Sequence, residues 1–196
     1  MARHKLFNEE IILTKAMHLF WERGYSATSA QDLVDTLGIS RSSIYNTFGD
    51  KHSLFIKALE QYRKERIDSV LAEADRTENA ESYIRKIFEA IKNDTLNDKC
   101  LKGCLMVNSA VELALIDTEV ANIMNSITQD FENTVCRVIE KGQKQGVFTS
   151  KQSAISLTRF VSNSLNGLRV STKLDISEKM FDDIVNVCLF TLKKSD

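Results

Sequence analysis

The chain contains no proline, and its seven glycines fall mostly between helical patterns. Proline breaks helices and glycine ends them, so this pattern predicts helices joined at glycine-marked turns. No sustained apolar–polar alternation of period two is present, which argues against strands. No apolar run approaches the roughly 20 residues needed to cross a bilayer. The basic start, Met1 to Lys5, is not followed by the apolar core of a signal peptide. Residence in the cytoplasm, with no membrane partner, is therefore expected.

Chemistry-bearing motifs are also scarce. The cysteines at 100, 104, 136 and 188 form no C-x-x-C pair, and the histidines at 4, 18 and 52 lie far from them in sequence. This argues against a structural zinc site, and reduced thiols are expected. There is no Ser-His-Asp set, no glycine-rich phosphate loop and no paired carboxylates in an obvious apolar pocket. The chain is not expected to be an enzyme or to carry a cofactor or metal. Bulk charge is silent as well. The net charge is −1, and residues 1–52 hold six Lys or Arg against six Asp or Glu. Any nucleic-acid function must rest on where charges lie.

What is present is helical periodicity with capping signals. At 196 residues and 43% hydrophobic content a sizeable core can form. Asn8 caps a first predicted helix running to Arg23, with Ile12, Ala16, Leu19 and Phe20 in one stripe and Gly24 at its end. Thr28 or Ser29 caps a short second helix that buries Leu33, Val34 and Leu37. Ser40 caps a third, from Arg41 to about Thr47, and Asp50 caps a long fourth from Lys51 to about Arg76. The second and third helices are joined by Leu37-Gly38-Ile39-Ser40, a tight turn of helix-turn-helix type. Five more helices are predicted: about Ala80–Leu96, Gly103–Ile116, Thr118–Lys144, Ser150–Thr172, and Ser177 to the end. The expected fold is all-α, about nine helices. Residues 1–50 would form a three-helix head and residues 51–196 a ligand-binding and dimerising body.

The residues that carry a resemblance lie at 16–55: Ala16, Leu19-Phe20, Gly24-Tyr25, Thr28-Ser29, Asp32-Leu33, Leu37-Gly38-Ile39-Ser40, Ser43-Ile44-Tyr45, Phe48, Lys51 and Leu54-Phe55. This ordered set resembles the DNA-binding head of TetR-family regulators. The resemblance implies a ligand-responsive regulator, usually a repressor, released from its operator by a small molecule. It implies DNA contacts at Thr28, Ser29, Gln31, Arg41, Ser42, Ser43, Tyr45, Thr47 and Lys51, with Asn46 beside them. The residue chemistry agrees. Arg41 can take a guanine edge bidentately or hold a phosphate, and Lys51 stands at a helix N-terminus that favours phosphate. Thr28 is either a cap or a phosphate contact, and Tyr45 either packs or reaches phosphate. Asp32 is expected to face away and pair with a basic residue of the head. Arg3 and Lys5 are either a solvated tail or a basic arm along the DNA.

In the body, Cys104, Asn108 and Glu112 are spaced at i, i+4 and i+8, which predicts one polar helix face converging on a pocket. Phe88, Phe131, Phe160 and Asn163 are the other candidate ligand contacts, on the fifth to eighth helices. Cys104 is either a small buried hydrophobe or a sensor thiol, helped by Lys99 and Lys102. The Gly-Cys-Leu lead-in loosely resembles a subgroup of the family in which some members sense electrophiles, oxidants or copper. The last two helices carry apolar residues on more than one side. Leu157, Val161, Leu165 and Leu168 form one stripe, with Phe160 and Gly167 on another, followed by Phe181, Val185, Leu189 and Leu192. These are expected to build a homodimer. Two-fold symmetry would set two recognition helices one DNA turn, roughly 34–36 Å, or a multiple of it apart on a pseudo-palindromic double-stranded operator. Two rival readings are a thiol-based redox-sensing repressor using Cys104, and a helical small-molecule-binding protein without DNA binding.

Overall fold

A computed structural model describes residues 7–97, 102–174 and 176–194. Arg3, Lys5, Lys99 and Cys100 lie outside the described residues. Among those described there are nine helices and no strand, apart from one isolated bridge between Phe148 and Lys193. They are α1 (Glu9–Arg23), α2 (Ala30–Leu37), α3 (Arg41–Phe48), α4 (51–74), α5 (Ala80–Asn97), α6 (Leu105–Leu113), α7 (Thr118–Lys144), α8 (Ala154–Ser171) and α9 (Glu178–Leu192). Helix α4 is continuous but not uniform. Its α-helical parts, Lys51–Tyr62 and Asp68–Ala74, flank a π-helical turn at Arg63–Ile67.

The caps follow the local chemistry. The side chains of Asn8, Ser29, Ser40, Asp50, Ser153 and Ser177 each accept a backbone N–H in the first turn of the helix that follows. Ser29 and Asp32 complete a reciprocal capping box. Helix α6 is shorter than its sequence pattern predicts. Gly103 takes φ +67, outside the helical range, so the helix opens at Leu105 behind an extended Cys104.

Two apolar clusters hold the fold together. The first centres on Ala16, Phe20, Leu33, Ile44, Leu54 and Phe55, and runs on without a seam into Leu105, Leu113 and Val120 of the body. Phe20 meets Phe55 edge-on at 5.1 Å, a favoured aromatic geometry. The second gathers α5, α7, α8 and α9 around Phe88, Val135, Val161 and Leu192. Each fully buried Leu or Phe stabilises by roughly 1.5–3 kcal/mol.

That second cluster corrects the expected dimer contacts. Leu157, Val161, Leu165, Leu168, Phe181, Val185, Leu189 and Leu192 are all buried within one chain. The richer stripe of each terminal helix fills the protomer's own core, because α5 and α7 already face it. The sparser stripe is left outside, with Phe160, Val170, Val187 and Phe190 exposed.

Close packing makes Gly142 of α7 a sensitive point. A Cβ there would lie 2.3 Å from Cδ2 of the buried Phe148. Overpacking of this kind costs up to about 3 kcal/mol, against roughly 1 kcal/mol gained in helix propensity. Gly142→Ala is therefore expected to destabilise by about 1–2 kcal/mol net, read as a lower urea midpoint at unchanged slope. An unchanged midpoint would show that Phe148 is not fixed against the helix.

Candidate functional site

The head presents helix α3 by its N-terminal half. Arg41, Ser42 and Asn46 are exposed, while Ser43, Tyr45 and Thr47 are half-buried. Ile44 and Phe48 anchor the opposite face in the core. The Arg41 guanidinium lies 5.6 Å from the centre of the Tyr45 ring, which holds it along the helix. Helix α2 offers exposed Ser29 and Gln31, and Gln31 donates to Asp35 at 2.8 Å. Asp32 is occupied as expected. It accepts from Ser29 and pairs with Arg23 at 2.6 Å. The Ser29 hydrogen bonds, aided by Arg23, hold its carboxyl below the usual range.

Thr28 is corrected. It is fully buried, and its hydroxyl donates to the Gly24 carbonyl at 2.6 Å. It braces the α1–α2 turn and presents nothing to a phosphate. Lys51 is half-buried, with its ammonium 4.4 Å over the Tyr25 ring. Burial lowers its pKa despite the pull of Glu112 and Asp32.

Three clasps tie α1, the α1–α2 turn and the start of α4 to the segment 103–117. The Glu112 carboxylate, at the end of α6, accepts the backbone N–H groups of Tyr25 at 3.0 Å and Ser26 at 2.6 Å. His52 meets Asp117, the cap of α7, at 2.7 Å. The Trp21 indole donates to the Gly103 carbonyl at 3.0 Å. Gly24 is needed at the first clasp for two reasons. It takes φ +83, and a Cβ there would press on Glu112 Oε2 at 2.9 Å.

The polar face expected around Cys104 therefore does not converge on one pocket. Glu112 turns to the head. The Asn108 amide donates to the Lys102 carbonyl and accepts from Lys173. Only Cys104 faces a cavity. Phe88 is buried in the second core, and Phe160 and Asn163 sit on the exposed outer side of α8. None of these three lines the cavity, because periodicity marks helix faces without saying which neighbour each face meets.

The cavity has a volume of about 380 Å³ and lies where α1, α4, α5, α6, α7 and α8 meet. Cys104 and Phe131 line it as expected. His18 and Trp21 of α1 line it too, as do Tyr62 and Arg66 of α4. Sequence reasoning missed these four by treating α1 as head alone. The available signal was Trp21, the chain's single tryptophan, next to the α1 stripe that fills the head core. The Tyr62 ring meets Trp21 edge-on at 5.0 Å, and its hydroxyl donates to the Cys104 sulfur at 3.5 Å. Burial, with Cys104 beside it, pushes that hydroxyl's pKa well up.

The π turn of α4 borders this cavity through Arg66 and Ile67. It is pinned by ion pairs, Arg63 to Asp130 of α7 away from the cavity and Arg66 to Asp94 of α5 at the cavity wall. π-Helical turns are uncommon and recur at functional sites. Among the described residues no group of three or more His, Cys, Asp or Glu could hold a metal, and no helix is long and apolar enough to cross a membrane.

Comparison with known proteins agrees with this geometry. A family model described as bacterial regulatory proteins of the tetR family matches residues 12–58. A second, a tetracyclin repressor-like C-terminal domain, matches residues 80–187. The chain is 30% identical over 193 residues to the uncharacterized HTH-type transcriptional regulator YezE of Bacillus subtilis (strain 168), covering 98% of this chain and 100% of that protein. It is 29% identical over 177 residues to the HTH-type transcriptional repressor ComR of Escherichia coli (strain K12), covering 88% of this chain and 82% of that one. In fold it is similar to the TetR family regulator CifR, solved with 26-bp double-strand operator DNA. The TM-score is 0.81 at 22% identity, over 97% of this chain and 100% of that one.

Removing the Glu112 clasp has a pH signature. Burial pushes the Glu112 carboxyl up, but the Ser26 and Tyr25 N–H bonds and the Lys51 ammonium outweigh it and hold the pKa below 4.5. A depressed carboxyl contributes stability above its unfolded pKa and loses it as pH falls through its folded one. Glu112→Ala is expected to cost about 1–2 kcal/mol at neutral pH, with the gap to the parent chain closing as pH falls through the lowered pKa of Glu112. Urea melts across pH check this, and a gap that persists in acid would rule the clasp out.

Proposed function

The chain belongs to the TetR family of bacterial helix-turn-helix regulators, and from that premise we propose that it is a homodimeric repressor released from its operator by a small molecule in the cavity. Residues 1–50 serve as the reading head and residues 51–196 as the sensing and dimerising body. The protein acts in the cytoplasm, off the membrane, and has no catalytic activity of its own. The observation that carries the reading is the exposed, capped N-terminal half of α3, held rigid by a buried Ile44 and Phe48. Arg41, Ser42, Ser43, Tyr45, Asn46 and Thr47 meet the DNA from this helix, Ser29 and Gln31 from α2, and Lys51 from the start of α4. Thr28 is excluded by its burial.

The dimer face is the outer stripe of α8 and α9: Phe160, Asn163, Gly167, Val170, Val187 and Phe190. Gly167 is open on its outer side, with no heavy atom within 4 Å of a built Cβ. A bare helix surface there permits close approach by a partner helix. Stable dimers hide about 800 Å² on each protomer, and two terminal helices offer surface of that order.

Control is a biased equilibrium. DNA selects one spacing of the two heads, and a ligand selects another state of the body. The cavity borders the π turn of α4, and α4 begins at Lys51, directly after the head. A ligand that repacks the π turn shifts α4, and the Glu112 and His52 clasps carry the shift to the head.

Two measurements test this. Bound DNA selected from a random pool should be pseudo-palindromic. Arg41→Ala should then weaken binding by about 1–3 kcal/mol and relax one base position in each half-site, or lower the salt slope by about one if Arg41 holds phosphate. Unchanged affinity in the gel shift would remove α3 as the reading helix. For the dimer face, Phe190→Asp should give a monomer in sedimentation, with thermal stability close to the parent because Phe190 is 77% exposed. Operator affinity should fall at least ~100-fold as the two half-sites become unlinked. A variant that stays dimeric would refute the reassigned face.

A further inference from the structure

Among the described residues, the charged groups lining the cavity are Arg66, Lys102 and Arg169 and one carboxylate, Asp94. Asp94 is already paired, to Arg66 at 2.8 Å. Lys102 and Arg66 lie over the Trp21 ring, at 5.5 and 5.6 Å from its centre. Arg169 stands on α8, and among the described residues no ion pair is made by its guanidinium. The rest of the wall is mostly apolar, with Ile87, Met106, Ile127 and Phe131 among its residues, and carries uncharged polar groups at Thr128, Ser162 and Asn166.

A cationic group at the wall of a largely apolar pocket orients an anion and fixes specificity, while the apolar wall supplies area. A guanidinium matches a carboxylate in shape as well as charge, since its planar fork can donate two parallel hydrogen bonds. A cationic ligand would meet the guanidinium of Arg169 and, among the described lining residues, a carboxylate already paired to Arg66. A wholly neutral apolar ligand would leave Arg169 desolvated without a partner, which is costly.

We propose that the effector of this cavity is an amphipathic organic acid, with its carboxylate held by Arg169 and its apolar body against α5, α6 and α7. The inference rests on the reading of the cavity as the effector site, and goes beyond it by naming the ligand's class. It also assigns Arg169 as the specificity-determining residue.

The test uses the full-length dimer and the fluorescence of Trp21, the chain's single tryptophan and a cavity residue. Three acids of different body (octanoic, 3-phenylpropionic and 3-cyclohexylpropionic) are titrated against their matched primary amides and amines. At least one acid should change the Trp21 emission with an affinity about tenfold or more above its amide, and the amines should bind most weakly. Arg169→Gln, with its fold checked by thermal melting, should erase the acid-over-amide preference. Asp94→Asn removes the one carboxylate that lines the cavity among the described residues, and should tighten acid binding. The proposal is overturned if no acid is preferred, if amides or amines bind as well, or if both variants leave the preference untouched. Operator release is scored separately by gel shift. An acid that binds with the expected preference, yet leaves operator affinity unchanged, supports the charge assignment and defeats the effector reading.

Discussion

The Glu112 carboxylate accepts the N–H groups of Tyr25 and Ser26, and this pair of bonds fixes the body directly to the α1–α2 turn of the head. Charge-assisted bonds to backbone donors rank among the stronger hydrogen bonds. They also act on the α1–α2 turn itself, which sets the angle between the first helix and the reading pair. Helix α6 is the crosspiece. Its leading end carries Cys104 and Met106 at the cavity, and its trailing end carries Glu112 at the head. Nine helical residues span about 13 Å. Over that length a helix transmits displacement with little loss, because its own hydrogen bonds resist bending more than its contacts resist sliding.

This arrangement explains why the cavity is not a feature of the body alone. His18 and Trp21 reach it from α1, a helix whose other face is head core. A ligand can therefore distinguish two states of the molecule by direct contact with the head as well as through α4. Differential contact of this kind is the only source of coupling free energy. The π turn gives α4 a wider segment of five residues beside the cavity, held by ion pairs from Arg63 to Asp130 and from Arg66 to Asp94. Relaxation of the turn toward α-helical geometry would rotate the segment that begins at Lys51 relative to the one that ends at Ala74.

What was legible in the sequence was what is decided locally. Asn8, Ser40, Asp50 and Ser177 cap the helices their spacing predicts, since a cap depends on the next three residues alone. The span of α7 was legible from Thr118 to Lys144, although Gly142, which looks like a loop marker, lies inside the helix. What was not legible needed partners. Leu165 and Phe160 belong to two apolar stripes of the same helix, and periodicity does not say which stripe the protomer keeps. Glu112 looked like a pocket residue because its partners, two backbone N–H groups, leave no trace in side-chain patterns. Thr28 had the right chemistry for a phosphate, and its burial by the turn above it could not be inferred from spacing.

The neutral charge of the head has a physical resolution. Its carboxylates are largely occupied by helix N-termini. Glu9 and Glu10 stand in the first turn of α1, Asp32 closes the capping box of α2, and Asp50 caps α4. Negative charge in these places offsets the positive end of a helix dipole. Asp35 accepts from Gln31, and Asp32 also holds Arg23. The third helix differs, with no acidic residue in its first turn and only Ser40 as its cap. Its N-terminal N–H groups, with Arg41 beside them, are thus the one helix start of the head left free of negative side-chain charge. Among the described residues Arg41 has a ring contact with Tyr45 and no ion pair. A summed charge near zero is then compatible with a local positive end on α3, and placement along the helices, not total charge, is what a phosphate backbone would meet.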